Sequence, residues 1–174
     1  ETSPKIAAQP GLGRLTPLHL YGDRVQVIAA PSRQVPSDGP LVLGVDAGST
    51  TTKAILLDPS TQAVVASHYG RTKGNPVSAT RECLQALISQ VGNHQIGLIG
   101  TTGSARELAG AYLGTEHVYN EISAHAAGAT HYDPDVDTIF EIGGQDSKYI
   151  YLRNGVPFDY AMNNACSAGT GSFL

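Results

Sequence analysis

Several residue types and patterns are scarce or missing in this sequence of 174 residues, beginning with tryptophan, which is absent. There are only two cysteines, Cys83 and Cys166, too few for a disulfide framework in a chain of this size. This shortage is typical of proteins in a reducing compartment, so we predict a cytoplasmic location. No apolar run approaches the roughly 20 residues that span a bilayer, and we therefore predict no membrane contact.

The start of the sequence lacks two further features, and the whole chain lacks an excess of basic residues. Residues 1–5 include no initiator methionine and do not begin an apolar signal segment. The missing methionine leads us to expect a piece of a longer protein. The 11 lysines and arginines are scattered among 15 acidic residues, for a formal charge of -4. Because nucleic-acid-binding surfaces are usually basic, we predict no nucleic-acid partner.

A phosphate-binding pattern is present between residues 41 and 58. Two short apolar runs flank a turn of glycine and small hydroxyl residues, which is typical of a tight β-hairpin. Gly48 lets the main chain approach a ligand closely, and the N–H groups of residues 49–52 can point at anionic oxygens. Lys53 can add a positive charge. The turn is therefore a candidate phosphate loop.

An acidic residue, Asp46, ends the first strand beside this turn. Its carboxylate would repel a bound polyphosphate unless a divalent cation lay between them, so Mg2+ is the expected companion. The turn matches neither Gly-x-x-x-x-Gly-Lys-Ser/Thr nor Gly-x-Gly-x-x-Gly, which excludes a Walker A loop and a dinucleotide fingerprint here. A hairpin turn that binds no ligand remains the alternative.

The periodicity of apolar residues predicts an α/β layout. Six prolines in residues 1–40 block long helices, and we interpret this segment as a connecting arm. A helix over 76–91 is predicted because apolar residues recur at helical spacing, namely Leu84, Leu87, Ile88 and Val91. The other predicted elements are strands over 41–46, 52–58, 63–69 and 96–100 and helices over 105–113 and 121–131. This order predicts a mixed sheet.

The opening pattern recurs roughly a hundred residues later, a spacing that is too long for a solenoid repeat. Residues 138–152 repeat the order of strand, glycine-containing polar tip, lysine and strand seen from residue 41. Such a repeat indicates two homologous lobes. Two tips that face each other would hold one polyphosphate from both sides.

Two hairpin phosphate loops on duplicated α/β units resemble the actin-like ATPase superfamily. Within it, the chain most resembles the activator ATPases of 2-hydroxyacyl-CoA dehydratases and the ATPase subunits of benzoyl-CoA reductases. Five segments in the family's order carry this resemblance, at 44–53, 101–106, 121–128, 142–148 and 163–171. The resemblance covers residues 41–174.

The resemblance implies an α/β fold with RNase H-like lobes, each with a mixed five-stranded sheet flanked by helices. Residues 1–40 would then be an arm or interdomain linker, and 41–137 the first lobe with phosphate loop 1. Residues 138–174 would start a second lobe with phosphate loop 2 and a cysteine motif. Because that lobe is only begun, we expect the chain alone to be inactive.

The resemblance also implies ATP-driven electron transfer. In such activators ATP binding and hydrolysis drive one electron, at low potential, from a [4Fe-4S] cluster onto a dehydratase or reductase partner. The cluster is shared across a homodimer. Cys166 would be a cluster ligand, whereas Cys83 has no counterpart in the motif and is expected in the core.

Residue by residue, the resemblance assigns an ATP site to two loops. Asp46 would bind Mg2+, and Asp46, Gln145 and Asp146 would act in catalysis. His125, four residues after Glu121, is expected to pack between the lobes. The implied ATP-binding residues are Gly48, Ser49, Thr50, Thr51, Lys53, Gly103, Glu121, Gly143 and Gly144.

Two other functions fit the same superfamily. A sugar kinase similar to N-acetylhexosamine kinases would use a carboxylate such as Asp146 as a base toward a sugar hydroxyl and would need no cysteine. A non-catalytic module of a multidomain protein would bind ATP only to change a partner contact. Cluster iron distinguishes the electron-transfer activator from both.

Overall fold

The structure is a computed structural model that describes residues 39–143 and 146–163. Within these residues the elements are, in chain order, β1 (Leu41–Ala47), β2 (Thr51–Leu57), β3 (Val64–Arg71), α1 (Pro76–Val91), β4 (Ile96–Thr102), α2 (Arg106–Leu113), α3 (Glu121–Tyr132), β5 (Thr138–Ile142), β6 (Ser147–Arg153) and β7 (Val156–Met162). The helix over 76–91 has the predicted bounds, and the other elements predicted up to residue 131 are displaced by two residues or fewer. The predicted arm as far as residue 38, together with Gly144, Gln145 and Cys166, lies outside the described residues.

The first sheet is mixed, as predicted, with the strand order β3-β2-β1-β4. β1 and β2, and likewise β2 and β3, are antiparallel, whereas β1 and β4 are parallel. The prediction of five strands is wrong for the described part of this sheet, which has four. A single parallel bridge between Thr101 and Val118 takes the place of a fifth strand. The segment at Val118 is short because it lies between Gly114, which ends α2, and Asn120, which caps α3.

The core of the first sheet follows from the alternating direction of the side chains along β1. Leu41, Leu43, Val45 and Ala47 point to one face and are buried there. α1 covers this face and buries Cys83 and Leu87 against it. Cys83 is thus a core residue, as predicted.

The second sheet is an antiparallel meander of β5, β6 and β7. Its buried face packs against α3 through Ile122 and Ala126 from the helix and Ile150 and Leu152 from β6. Lys148 lies two residues before Ile150 on the same face of β6 and is also buried. A lysine is therefore part of the face that packs under α3.

None of the helices in the described ranges combines the length and the apolarity that crossing a membrane requires.

The domain boundaries at residues 40 and 137 stay predictions.

Candidate functional site

A cavity of about 300 Å³ lies where the tips of two β-hairpins meet the β4–α2 loop and the start of α3. It opens among residues from both sheets. The residues that line it are Asp46, Gly48, Ser49, Thr50, Thr51, Lys53, Thr102, Gly103, Ser104, Glu121, Ala124, His125, Glu141, Gly143, Asp146 and Lys148.

The β1–β2 tip is held in shape by hydrogen bonds beneath it. The Gly48 N–H donates to the carbonyl of Thr51 at 2.9 Å, and a side chain at residue 48 would place its Cβ 2.7 Å from that oxygen. Only glycine therefore fits this closed turn. The Thr72 hydroxyl donates to the Gly48 carbonyl at 2.7 Å and lies 2.9 Å from the buried Thr52 hydroxyl.

Replacing Thr72 with valine is expected to destabilise this tip. The Gly48 carbonyl and the Thr52 hydroxyl would each lose a partner in a largely buried position. Leaving such groups unsatisfied costs about 1–3 kcal/mol. The midpoint of urea unfolding of the full-length protein measures the loss. Thr72→Ser keeps the hydroxyl and is the matched control. A valine variant as stable as the wild type would contradict the role of Thr72.

Asp46 and Lys53 face each other across β1 and β2. They are register partners, and the Lys53 Nζ donates to Asp46 Oδ2 at 2.9 Å. Both side chains remain partly exposed, at 48% for Lys53 and 34% for Asp46. Exposed ion pairs are weak, so both groups are available to a ligand in the cavity.

The β4–α2 loop brings Gly103 against Asp46. Gly103 has φ of +92°, and a Cβ there would lie 2.5 Å from Asp46 Oδ1 and 2.7 Å from the Ala47 carbonyl. That carbonyl accepts a hydrogen bond from the Ala105 N–H at 2.8 Å. The close approach depends on glycine both for the space and for the backbone conformation.

Thr102, the residue before this loop, carries a buried hydroxyl that has no hydrogen-bond partner within the described ranges. It lines the cavity. Buried hydroxyls nearly always have a partner, so this one is a candidate to bind a ligand or a water.

α3 points its first turn at the cavity. The Asn120 side chain caps the helix by accepting a hydrogen bond from the Ile122 N–H at 2.7 Å. Glu121 lies in this first turn, and its Oε1 is 3.6 Å from Lys148 Nζ. His125, one turn later, also lines the cavity.

The β5–β6 hairpin contributes a dense cluster of charges. Lys148 Nζ donates to Glu141 Oε2 and to Asp146 Oδ1, both at 2.9 Å. Burial acts to lower the pKa of Lys148, but the hydrogen bonds to Asp146 and Glu141 outweigh it and hold the pKa above its usual value. The turn is closed by a hydrogen bond from the Gly143 N–H to the Asp146 carbonyl at 2.8 Å.

The structure brings most of the predicted site residues together around one cavity: Asp46, Gly48, Ser49, Thr50, Thr51, Lys53, Gly103, Glu121, Gly143 and Asp146. Their roles stay predictions. Sequence reasoning missed Glu141 and Lys148 as site residues. A signal existed, because Glu141 precedes Lys148 by the same seven residues that separate Asp46 from Lys53.

Within the described residues no group of three histidine, cysteine or acidic side chains is arranged to hold a metal ion unaided. Mg2+ needs no such group, since it is commonly bound by one or two carboxylates, waters and the phosphates of a nucleotide. Asp46 fits that mode. Cys83 does not fit a cluster site, because it is 1% exposed and burial, with the charge of Glu82, raises the pKa of its thiol.

Comparison with known proteins gives matches over most of the chain. The sequence profile of the BadF/BadG/BcrA/BcrD ATPase family matches residues 43–174. The (R)-2-hydroxyglutaryl-CoA dehydratase activating ATPase of Acidaminococcus fermentans is 35% identical over 135 residues, which are 76% of this chain and 50% of that protein.

Two solved structures share the fold. The activator of the 2-hydroxyisocaproyl-CoA dehydratase from Clostridium difficile with bound ADPNP has a TM-score of 0.67 and 32% identity, over 76% of this chain and 49% of that one. Component A of the Acidaminococcus fermentans (R)-2-hydroxyglutaryl-CoA dehydratase has a TM-score of 0.63 and 30% identity, over 78% and 51%. The chain thus spans about half the length of these relatives. The predicted resemblance and the actin-like ATPase fold are confirmed.

Proposed function

The chain belongs to the BadF/BadG/BcrA/BcrD ATPase family, and we propose that the full-length protein is an ATP-dependent activator of a 2-hydroxyacyl-CoA dehydratase or a similar reductase. ATP binds with Mg2+ in the cavity between the two hairpins. A [4Fe-4S] cluster shared by two subunits, with Cys166 as one ligand, would supply the low-potential electron that the partner enzyme receives.

The observation that carries the ATP site is the pair of hairpin tips around one cavity. Each tip has a glycine closed by a hydrogen bond across the turn, and each hairpin has an acidic residue and a lysine as register partners. The tips approach the cavity from separate sheets. This arrangement suits a chain of phosphates, which offers oxygens along its length to donors on both sides. The relative that binds ADPNP supports a nucleotide as the ligand.

The charge of the cavity supports a requirement for Mg2+. Two lysines, Lys53 and Lys148, face four carboxylates, those of Asp46, Glu121, Glu141 and Asp146. Polyphosphate would be repelled by this net negative charge in the absence of a divalent cation. Asp46 would hold the ion beside the first loop. When bound, Mg2+ neutralises charge on the phosphate oxygens and makes the terminal phosphorus more open to attack.

Other groups of the chain would bind the phosphates and orient the attacking water. N–H groups of residues 49–51 donate to phosphate oxygens, and Lys53 adds a positive charge at the edge of the cavity. The unpartnered Thr102 hydroxyl can donate to a phosphate oxygen or to a bound water. Glu141 and Asp146 lie on the opposite side, where a carboxylate can orient the attacking water and accept its proton.

The resemblance assigns a cluster ligand to Cys166, and the burial of Cys83 argues against that residue as another ligand. Cys83 is enclosed in the core of the first sheet and cannot reach a subunit interface without unfolding it. Cys166 lies outside the described residues and is the other cysteine of the chain. Cluster ligands are thiolates at accessible positions, which Cys83 does not offer.

The cluster is tested by anaerobic purification of the full-length protein with iron and sulfide assays. We expect about four irons per dimer, as one bridging [4Fe-4S] cluster requires. Cys166→Ser is expected to lose the iron and the visible absorbance, and Cys83→Ala, the matched control, to retain both. Iron-free wild-type protein after anaerobic reconstitution would contradict electron transfer. ADP release that depends on an N-acetylhexosamine would then indicate a sugar kinase.

A further inference from the structure

The two hairpins have equivalent acid–lysine pairs in different surroundings. Asp46 and Lys53 are register partners in β1 and β2, and Glu141 and Lys148 are register partners in β5 and β6. The Lys53 side chain is 48% exposed, whereas that of Lys148 is 3% exposed. The same pair is thus open to solvent in the first hairpin and enclosed in the second.

Because Lys148 is buried, its ammonium group contacts protein carboxylates rather than solvent. Its ammonium group has three N–H donors, and carboxylate oxygens lie at 2.9 Å (Glu141), 2.9 Å (Asp146) and 3.6 Å (Glu121). A buried lysine without such partners would lose most of its hydration and its charge. With three carboxylates around it, Lys148 has no donor turned to an incoming phosphate, unlike the exposed Lys53.

The three carboxylates come from three places in the chain, and the Lys148 ammonium lies within 3.6 Å of all of them. Glu121 begins α3, Glu141 lies in β5, and Asp146 lies in the β5–β6 tip. Three carboxylates this close would repel each other without a cation among them. Lys148 offsets this repulsion and holds Glu141 and Asp146 beside the cavity by hydrogen bonds.

The β5–β6 tip is packed against the same groups. A Cβ on Gly143 would lie 3.0 Å from Glu141 Oε1 and 3.1 Å from Asp146 Oδ1. Glycine at position 143 therefore leaves the space that these two carboxylates occupy. A shift of the Lys148 ammonium group would displace both carboxylates, which accept its hydrogen bonds.

We propose that Lys148 is a positioning residue: it holds Glu141 and Asp146 where the terminal phosphate of a bound nucleoside triphosphate is attacked, and it does not bind the nucleotide itself. This role rests on the proposed ATP site. Lys53 is its functional opposite, an exposed lysine that contacts phosphate. The two lysines should then affect different kinetic constants.

The test is steady-state ATP hydrolysis by the full-length protein, with KM and kcat measured separately. Lys148→Met is expected to lower kcat by about 100-fold, the size of effect that misplacing reacting groups by about 1 Å produces. The KM for ATP should change by less than about threefold, because the phosphate-binding groups of the first loop are untouched. Lys53→Met is expected to raise KM instead.

Lys148→Arg is a second variant that keeps the test possible if Lys148→Met does not fold. A guanidinium group keeps the charge and can pair with two carboxylates, but its planar shape moves their oxygens. We expect a folded protein with a smaller loss of kcat and unchanged KM. Lys73→Met, on an exposed turn outside the cavity, is the matched control and should leave both constants unchanged.

The outcomes separate this role from the proposed function. ATP turnover by the wild type with unchanged kcat in both Lys148 variants would contradict the positioning role alone. A raised KM at unchanged kcat would show that Lys148 binds nucleotide directly, which also overturns it. Absence of ATP turnover by the wild type would contradict the proposed function and, with it, the role of Lys148.

Discussion

Asp46→Asn is expected to lower the kcat for ATP hydrolysis by about 100-fold, because it removes a carboxylate proposed to hold Mg2+ against the phosphates, a contribution of several kcal/mol. Asparagine keeps the shape of the side chain, so the contact with Gly103 survives. The hydrogen bond from Lys53 can also persist, now to an amide oxygen. The loss should therefore come from charge rather than from packing.

Measuring the Mg2+ concentration that gives half-maximal hydrolysis adds a second readout. We expect it to rise in Asp46→Asn, since the other carboxylates that line the cavity belong to α3 and to the second hairpin. Asp159→Asn makes the same change at an exposed position on β7 and should stay within about twofold of the wild type. Hydrolysis at the wild-type rate with the wild-type Mg2+ requirement would rule out Asp46 as the Mg2+ residue.

Gly103→Ala is expected to cost about 3 kcal/mol or more of unfolding free energy, the sum of a left-handed backbone for alanine and of overpacking. The added methyl would lie 2.5 Å from Asp46 Oδ1 and 2.7 Å from the Ala47 carbonyl. Backbone atoms cannot give way as a flexible side chain can. The β4–α2 loop would move away from β1, and the Asp46 carboxylate would be displaced.

Gly114→Ala separates the two causes of this loss. Gly114 also has a positive φ, of +69°, but a Cβ there meets nothing within 4 Å. It should cost only the backbone term, about 1 kcal/mol. Urea unfolding of both variants, with nucleotide binding measured by calorimetry, checks the difference. Equal stability losses, with nucleotide affinity retained in Gly103→Ala, would show that the contact with Asp46 is unimportant.

Much of the fold was predictable because its signals are local. A short apolar run predicted β1, and the helical spacing of apolar residues predicted α1. The glycine and hydroxyl residues of the first tip predicted the hairpin turn. The spacing of Leu84, Leu87, Ile88 and Val91 was less informative about packing, since Ile88 is 54% exposed while the buried stripe runs through Ala79, Thr80, Cys83 and Leu87.

The second half of the site was only partly predictable. Sequence comparison of the two hairpins drew attention to Gln145 and Asp146 at the tip, whereas strand pairing places Glu141 where the first hairpin has Asp46. The two tips differ in length: three residues separate β1 from β2, and four separate β5 from β6. The seven-residue spacing from acid to lysine is the same in both hairpins, and the register of the strands shows that the pairs are equivalent despite the different tip lengths.

The sequence by itself determined strands β1 to β6, the first glycine tip, the α/β order and the family, because these depend on neighbours along the chain. The tertiary structure alone decided that α3 packs on the second sheet and that its first residue, Glu121, meets Lys148. Whether a lysine is exposed and able to contact phosphate, or buried and bound to protein carboxylates, depends on which elements pack over it. Lys53 and Lys148 have the same place in the repeated pattern, and the packing of α3, which brings Glu121 to Lys148, together with the bond to Asp146, makes them different.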